Sequence, residues 1–520
     1  MSRSDFLAIF FSIVAAIAAA WVSQATFDRL PHLEDEMAYV WQAQAIAGGH
    51  LILPSPPCPK CFLVPFVVDD QGQRFGKYPP AWPVVLAGGI LLGQRYLVNA
   101  LLAGLGVWLT YRLGKKVFNA GVGLLAALLT LTSPFFLMES ASLLSHAWAL
   151  FLSAAFALAW LDSFARDCRV PRWLTGLVAA LSLGLLALTR PLTAVGVALP
   201  FAIHGVILLW RGSAAERRRV LWIGGLAGLV SLLLLLWQYA ASGDPLLNLY
   251  TLWWPYDRIG FGPGVGFLPE GHSLKIAWMN LEFSLYVGDS DLFGWGRLSW
   301  IFLPFGLWAI RKNGRAALLG GVLPSLLVVY LLYWIGSWVY GPRYYYEGLY
   351  SVTLLSAAGI AWLAGYPITL RGVPTENPVD GKHSGILKVF FLPGQAKSLP
   401  YISKWPALPV WRTVRRIAVI TLVSVLLAVN LVDYIPLRLA ALQGFNNINP
   451  TYLQPFVTAP ATPTLVIVHI RNNWVDYGRF LDLESPYLDT PYIFIYDRGA
   501  QQNKIAIEAF PDRKVFDYYP

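Results

Sequence analysis

Long apolar runs almost free of charge, separated by short basic stretches, set the pattern of this chain. The first run covers 6–27 without a charged residue and is long enough to cross about 30 Å of hydrocarbon as a helix. Further runs lie at about 95–113, 119–136, 142–164, 173–189, 191–210, 220–241, 298–311, 315–336, 344–366 and 417–436, making eleven predicted transmembrane helices in all. A cleaved signal peptide is the rival for the first run, because Ser23-Gln24-Ala25 offers small residues near a cleavage point. The run is longer than most signal cores and reads as a retained helix. Either way, the residues after it lie outside.

The pattern changes between the runs. In the 28–94 loop, acids at 34–36 open an amphipathic helix (Met37, Val40, Trp41, Ala45) that Gly48-Gly49 ends. Further on, Pro79-Pro80-Ala81-Trp82 opens an apolar stretch to Gly93 that is too short to span and suits a helix lying in the interface. A second long loop covers 242–297, and 372–400 reads as an irregular loop rich in Pro, Gly and Lys. From 437 onward, apolar strands at 464–468 and 492–496 alternate with polar stretches, the pattern of a small α/β module. The predicted organisation is an all-α polytopic membrane domain over 1–436 and an extracytoplasmic α/β module over 437–520.

Composition agrees. Of 520 residues, 56% are hydrophobic and only 13% are charged, about half the charge of a soluble protein. A soluble multidomain chain, a disordered chain and a collagen-like repeat are thereby excluded. Three cysteines are too few for a disulfide-stapled scaffold. The net charge of +10 would suggest nucleic acid in a soluble protein. Here basic residues cluster in the short connections: Arg112/Lys115/Lys116, Arg166/Arg169/Arg172, Arg211/Arg217/Arg218/Arg219, Arg311/Lys312/Arg315 and the 367–416 segment. With the N-terminus inside, every one of these falls on the cytoplasmic face, as the positive-inside rule requires. Promoting 81–92 to a full span would reverse them all. Expected is a multi-pass plasma (inner) membrane protein with its C-terminal module outside. The 22 Trp and 25 Tyr fit interfacial belts better than base stacking, so no nucleic-acid partner is expected.

Polar residues outside the basic loops gather on the external side. Asp35 and Glu36 open the first external helix, Lys77 stands on a Pro-stiffened turn, and Arg343 follows Tyr340-Gly341-Pro342 before the tenth span. Each has a plain alternative: a helix-dipole acid, or a cation touching lipid headgroups. Together they offer a carboxylate, a lysine and an arginine at one lipid–water boundary. Trp253, Trp254, Tyr256, Asp257 and His272 of the second loop suit either sugar faces or interfacial anchoring. Cys58-Pro59-Lys60-Cys61 reads as a loop disulfide, since a metal pair would need two further ligands. Cys168 lies on the cytoplasmic side and cannot join it.

At this point the residues resemble a known family. Asp35-Glu36-Met37-Ala38-Tyr39, Lys77-Tyr78-Pro79-Pro80 and Leu188-Thr189-Arg190-Pro191, in that order, are similar to the GT-C membrane glycosyltransferases, nearest the branch of protein O-mannosyltransferases and lipid A aminoarabinose transferase. Gly341-Pro342-Arg343-Tyr344 resembles an Arg-Tyr motif of bacterial members. The resemblance covers roughly 1–365. It implies an inverting transfer of a sugar from a polyprenyl-phosphate carrier to a hydroxyl on a lipid, protein or glycan acceptor. Asp35, with Glu36 beside it, would be the catalytic carboxylate; Lys77, Arg343 and Tyr344 would hold the donor phosphate. Tyr39, Tyr78, Arg190, Asp257 and His272 are further candidates for substrate contact. Where the family often has Arg and Asp after the third span, this chain has Met138-Glu139 and, further on, His146. Glu139 or His146 is a candidate for that role; His146 also reads as a hydrogen-bonded helix residue.

The chemistry explains the residue types. A hydroxyl attacks well only if a base accepts its proton, glycosyl transfer passes through an oxocarbenium-like state, and fixed cations stabilise the departing phosphate. Two rivals remain at this stage: a ligase or polymerase using diphosphate-linked carriers, and a polyprenyl-lipid or sugar transporter. A transporter would place ionisable groups in mid-membrane, whereas the centres of these runs are nearly free of charge. No cofactor is assigned, and a divalent metal at Asp35 and Glu36 stays open.

Overall fold

A computed structural model describes residues 2–165, 168–368, 409–458, 462–471 and 473–520. The predicted 372–400 loop and most of the 367–416 segment lie outside the described residues. Helices dominate. In chain order they begin with α1 (Arg3–Ala25), α2 (Glu34–Ala47), α3 (Ala81–Leu91), α4 (Arg95–Val117), α5 (Ala120–Leu131), α6 (Pro134–Ala141) and α7 (His146–Ser163). They continue with α8 (Arg172–Ala187), α9 (Pro191–Arg211), α10 (Ala214–Ser231), α11 (Leu233–Ser242), α12 (Tyr250–Trp253), α13 (Leu274–Asp291), α14 (Leu303–Ile310), α15 (Gly314–Gly320), α16 (Val322–Tyr330), α17 (Leu349–Leu363) and α18 (Pro409–Val429).

Each predicted run is helical in whole or part, but length is less uniform than the sequence suggests. Among the described residues, five helices are long and apolar enough to cross a membrane: α1, α4, α9, α10 continued by α11, and 410–440. The pair α5 and α6 makes a sixth if its 61° bend is counted within one span. The bend has a local cause. Ser133 caps α6 by accepting from the Phe136 N–H, and Pro134 occupies its first turn, which suits a helix start and removes a donor from a continuing helix. The predicted run at 119–136 is therefore broken there, and that at 142–164 becomes helical only from His146.

Small residues let the bundle close. A Cβ on Gly114 of α4 would sit 2.5 Å from the Gly123 Cα of α5, and one on Gly104 would sit 2.7 Å from the Ser12 carbonyl oxygen of α1. Such close backbone approach substitutes for a hydrophobic driving force that lipid does not supply.

The 28–94 loop is more ordered than expected. Besides α2 and α3 it holds an antiparallel sheet of β1 (Leu53–Pro54), β2 (Val67–Asp70) and β3 (Gln73–Gly76), in the order β1-β3-β2. The 242–297 loop contains α13, a helix whose Trp278, Phe283 and Tyr286 are exposed. Near the C-terminus, β4 (Thr464–Val468), β5 (Tyr492–Tyr496) and β6 (Lys514–Tyr518) form a parallel sheet in the order β5-β4-β6. One face of it (Leu465, Ile467, Ile493, Ile495) packs on Phe62 and on Cys58 and Cys61, which are joined by a disulfide. The Tyr496 N–H donates to the Cys61 carbonyl at 2.8 Å. The first loop and the C-terminal sheet therefore share a core.

Candidate active site

The site is assembled from four turns at one end of the bundle. α2 carries Asp35 in its first turn. The Asp35 carboxylate meets Arg343 Nη1 at 3.1 Å through Oδ2, and accepts the Tyr78 hydroxyl through Oδ1. It retains 24% of its side-chain exposure. Burial alone would raise its pKa, but the Arg343 guanidinium, the Tyr78 hydroxyl and the Lys77 charge outweigh it and hold the carboxyl below its ordinary range. Asp35 is thus ionised and fixed in direction.

Arg343 is delivered by an unusual turn. Tyr340 (φ 61°) and Gly341 (φ 96°) both lie in the left-handed region, and a Cβ on Gly341 would fall 2.5 Å from the Phe135 ring. Pro342 then starts the 3-10 turn Arg343–Gly348. Holding a tyrosine in that region costs energy of order 1–3 kcal/mol, which the surrounding packing must supply.

Lys77 follows β3 directly, and its N–H donates to the Phe66 carbonyl at 3.0 Å. The ammonium lies in an aromatic enclosure, 3.8 Å from the Phe66 ring centre, 4.8 Å from that of Tyr250 and 4.9 Å from that of Trp254. Its partner is Asp257 at 3.3 Å. Asp257 is anchored from the other side, where Oδ1 accepts the Tyr333 hydroxyl and the Trp334 indole N–H, both at 3.0 Å. Burial pushes the Lys77 pKa down, only partly opposed by Asp257 and Asp35.

A second polar group adjoins the first. His146 Nδ1 lies 3.0 Å and Arg190 Nε 3.5 Å from Glu347 Oε1. Arg190 also donates to Tyr330, whose ring stacks on Tyr344 at 5.0 Å. Arg190 and Arg343 each lie 5.7 Å from the Tyr344 ring centre, so that ring bridges the two groups. Tyr39 packs on Tyr78 at 4.6 Å and shares a hydrogen bond with Ser145. Among the described residues, both Glu139 oxygens and Glu347 Oε2 are buried without a hydrogen-bond partner.

Two candidates stand differently. Glu36 is 1% exposed, and its two oxygens accept the backbone N–H groups of His32, Leu33 and Leu143 at 2.6–2.9 Å. Burial pushes its pKa up to about 7, against the pull of those three N–H groups. These bonds join the start of α2 to the turn before α7. His272 bonds the Leu331 carbonyl and stacks on Phe261, so it pins its loop to the end of α16 rather than joining the cluster. Among the described residues, no group of three or more His, Cys, Asp or Glu side chains is placed to hold a metal ion.

Glu347, Tyr330, Tyr333 and Trp334 were not singled out in the sequence. Only Glu347 carried a signal, because it lies one turn beyond Arg343 in the same Tyr-rich stretch. The others are reached through contacts between distant segments.

This arrangement defines a helical membrane protein with a charged, aromatic site at one end of its bundle, and its fold is of the GT-C kind. Residues 79–237 match the family model described as dolichyl-phosphate-mannose-protein mannosyltransferase, which is less than half of the chain. ArnT from Cupriavidus metallidurans bound to undecaprenyl phosphate superposes over 99% of this chain and 90% of its own, at 14% identity and a TM-score of 0.56. Its apo state gives 15% identity and a TM-score of 0.57 over the same shares. No curated protein matches the chain by sequence. The resemblance to the GT-C membrane glycosyltransferases holds at the level of fold.

Proposed function

We propose that this chain is an inverting glycosyltransferase that moves a sugar from a polyprenyl-phosphate carrier to a hydroxyl acceptor on the outer face of the membrane. The observation that carries the reading is an ionised carboxylate, Asp35, fixed by Arg343 and Tyr78 beside a Lys77 ammonium in an aromatic enclosure. The bound undecaprenyl phosphate of ArnT, whose fold the chain shares, supports a carrier of that class.

In this mechanism the acceptor oxygen forms a bond to the anomeric carbon from the face opposite the phosphate. Its proton passes to Asp35. The bond from the anomeric carbon to the phosphate oxygen breaks, and its electron pair stays on the phosphate, where Lys77 and Arg343 meet the growing charge. Glu36 braces α2 rather than taking a proton. The extended turns at 28–94 and 242–297 form the catalytic side, 1–436 forms the membrane domain, and the N-terminus lies in the cytoplasm.

Incubating purified protein with monophosphate-linked and diphosphate-linked sugar donors tests the reading. Transfer from the monophosphate donor with inverted anomeric configuration, lost in Asp35→Asn, is expected. Transfer from the diphosphate donor alone would replace it with a ligase.

A further inference from the structure

At the end of the bundle remote from Asp35, the start of α1 and the ends of α4 and α7 leave a cleft of about 530 Å³. The remoteness follows from geometry: α1 rises about 34 Å over its 23 residues, and Asp35 comes after its far end. Five charged residues line the cleft, namely Asp5, Arg112, Lys115, Lys116 and Asp162, and its apolar wall is Trp108 and Leu158.

The charges do not cancel. Lys115 pairs with Asp5 at 2.5 Å, and Lys116 pairs with Asp162. Each ammonium has further N–H donors beyond its carboxylate bond. Arg112 lines the cleft with Asp5 and Asp162 but forms no ion pair among the described residues; its guanidinium lies 5.6 Å from the Trp108 ring centre. Three cations against two carboxylates leave a net charge of +1, with Arg112 carrying the surplus.

An exposed apolar face of α4 leads away from the cleft. Leu101, Leu105, Trp108 and Arg112 follow one another on α4 at spacings of four, three and four, which puts them on one helix face. Leu101 and Leu105 are exposed, at 64% and 46%. An apolar track therefore runs from the charged cleft toward the middle of the hydrocarbon layer.

We infer that this cleft binds an anionic phospholipid, with the phosphodiester at Arg112, Lys115 and Lys116 and an acyl chain along Trp108, Leu105 and Leu101. A singly negative phosphodiester matches the surplus charge. A zwitterionic lipid does not, and a soluble phosphate has no use for the track. Basic clefts between transmembrane helices are a recognised type of lipid headgroup site. This inference is independent of the glycosyl-transfer reading.

The test is lipid retention by the full-length protein, read by native mass spectrometry after purification in mixed phosphatidylglycerol and phosphatidylcholine. Phosphatidylglycerol should be retained in preference by about fivefold, and Arg112→Ala should remove most of that preference. Arg112→Lys should keep most of it. Arg112 is exposed and has no ion-pair partner among the described residues, so its loss should leave folding intact. Arg218→Ala, a similarly exposed cation on α10, is the control and should change nothing. Equal retention of the two lipids would overturn the inference. So would an unchanged Arg112→Ala, an Arg218→Ala effect as large, or displacement of the lipid by inorganic phosphate alone.

Discussion

Asp257 holds Lys77 at 3.3 Å while its other oxygen is fastened to Tyr333 and Trp334. The lysine is thus neither a free headgroup anchor nor a lone buried charge. It is an ammonium kept protonated by a carboxylate that cannot swing away, inside rings whose faces favour cations. A phosphate reaching Lys77 would share it with Asp257 rather than find it unoccupied.

The consequence is a pH effect. Burial depresses the Lys77 pKa, and the Asp257 charge is the chief force opposing it. If transfer needs the ammonium, activity falls as pH rises through the Lys77 pKa. Asp257→Asn removes the opposing charge and lowers that pKa further. The alkaline limb of the pH–rate profile should then move to lower pH by about one pH unit or more. An unmoved limb in an active variant would mean that Asp257 does not govern the lysine.

Adjacent acids should behave in opposite ways. Asp35→Asn keeps size and most hydrogen bonding, giving up one of the two acceptor contacts with Arg343 and Tyr78, but removes the proton acceptor, so turnover should fall by about 10²–10⁴-fold with donor binding retained. Glu36→Gln replaces a buried carboxylate that three backbone N–H groups address. It should lower thermal stability and yield, while correctly folded molecules keep most of their turnover. Activity normalised to folded protein separates the two, and a stable but inactive Glu36→Gln would exchange their roles.

The C-terminal sheet carries its own pH dependence. His469 Nδ1 lies 2.7 Å from Asp497 and Nε2 lies 2.8 Å from Asp517. A neutral imidazole donates from one nitrogen only, so two carboxylate partners call for the imidazolium. Slight burial lowers its pKa, but the two carboxylates outweigh this and raise it. A raised histidine pKa means that its stabilisation is complete below the unfolded value of about 6.5 and is lost as pH rises through the folded value. Asp497 runs the other way. Burial raises its pKa, but the Gly499 N–H, Asn503 and His469 outweigh that and lower it. Its share is therefore present above its unfolded pKa and lost as pH falls through the folded one. Amide protection over 462–518, taken relative to the intrinsic exchange rate at each pH, should be greatest between about pH 5 and 6.5 and fall above the His469 pKa, and His469→Gln should abolish that alkaline fall. An identical pH course in that variant would remove His469 from the account.

The sequence made the helical runs legible because hydrocarbon demands uninterrupted apolar length, and that demand is written locally. It also brought Asp35 to notice as an acid opening a loop helix, and Lys77 and Arg343 as cations on Pro-stiffened turns, and the structure sets Asp35 against Arg343. The pairings Lys77–Asp257 and His146–Glu347 were out of reach, since each joins segments whose approach is fixed only by helix packing. The break at Ser133-Pro134 was visible residue by residue but was hidden by the apolar character of both sides. α13 escaped because its exposed Trp278, Phe283 and Tyr286 alternate with polar residues and give no sustained run. The short strands β1 to β3 were lost for a similar reason, being two to four residues long.

Phosphate binding supplies the sharpest division between enzyme and anchor. Lys77 and Arg343 both lie within the Asp35 environment, yet only Arg343 touches that carboxylate directly. If they meet a charge that grows as the sugar leaves, each contributes more in the transition state than in the bound complex, and its loss lowers kcat more than donor affinity. Lys77→Ala and Arg343→Ala should therefore cut kcat by about 10²-fold or more, the scale of removing one oxyanion-hole donor. Arg343→Lys should recover only part of this. An ammonium has donors enough for both anions but lacks the planar fork that aims N–H groups at a phosphate and at Asp35 Oδ2 in fixed directions. Donor affinity measured on the same detergent-purified proteins should change far less than turnover. Were turnover per folded molecule unchanged in both alanine variants, with only yield or stability reduced, the two cations would be parts of the scaffold and the phosphate would have to be held elsewhere.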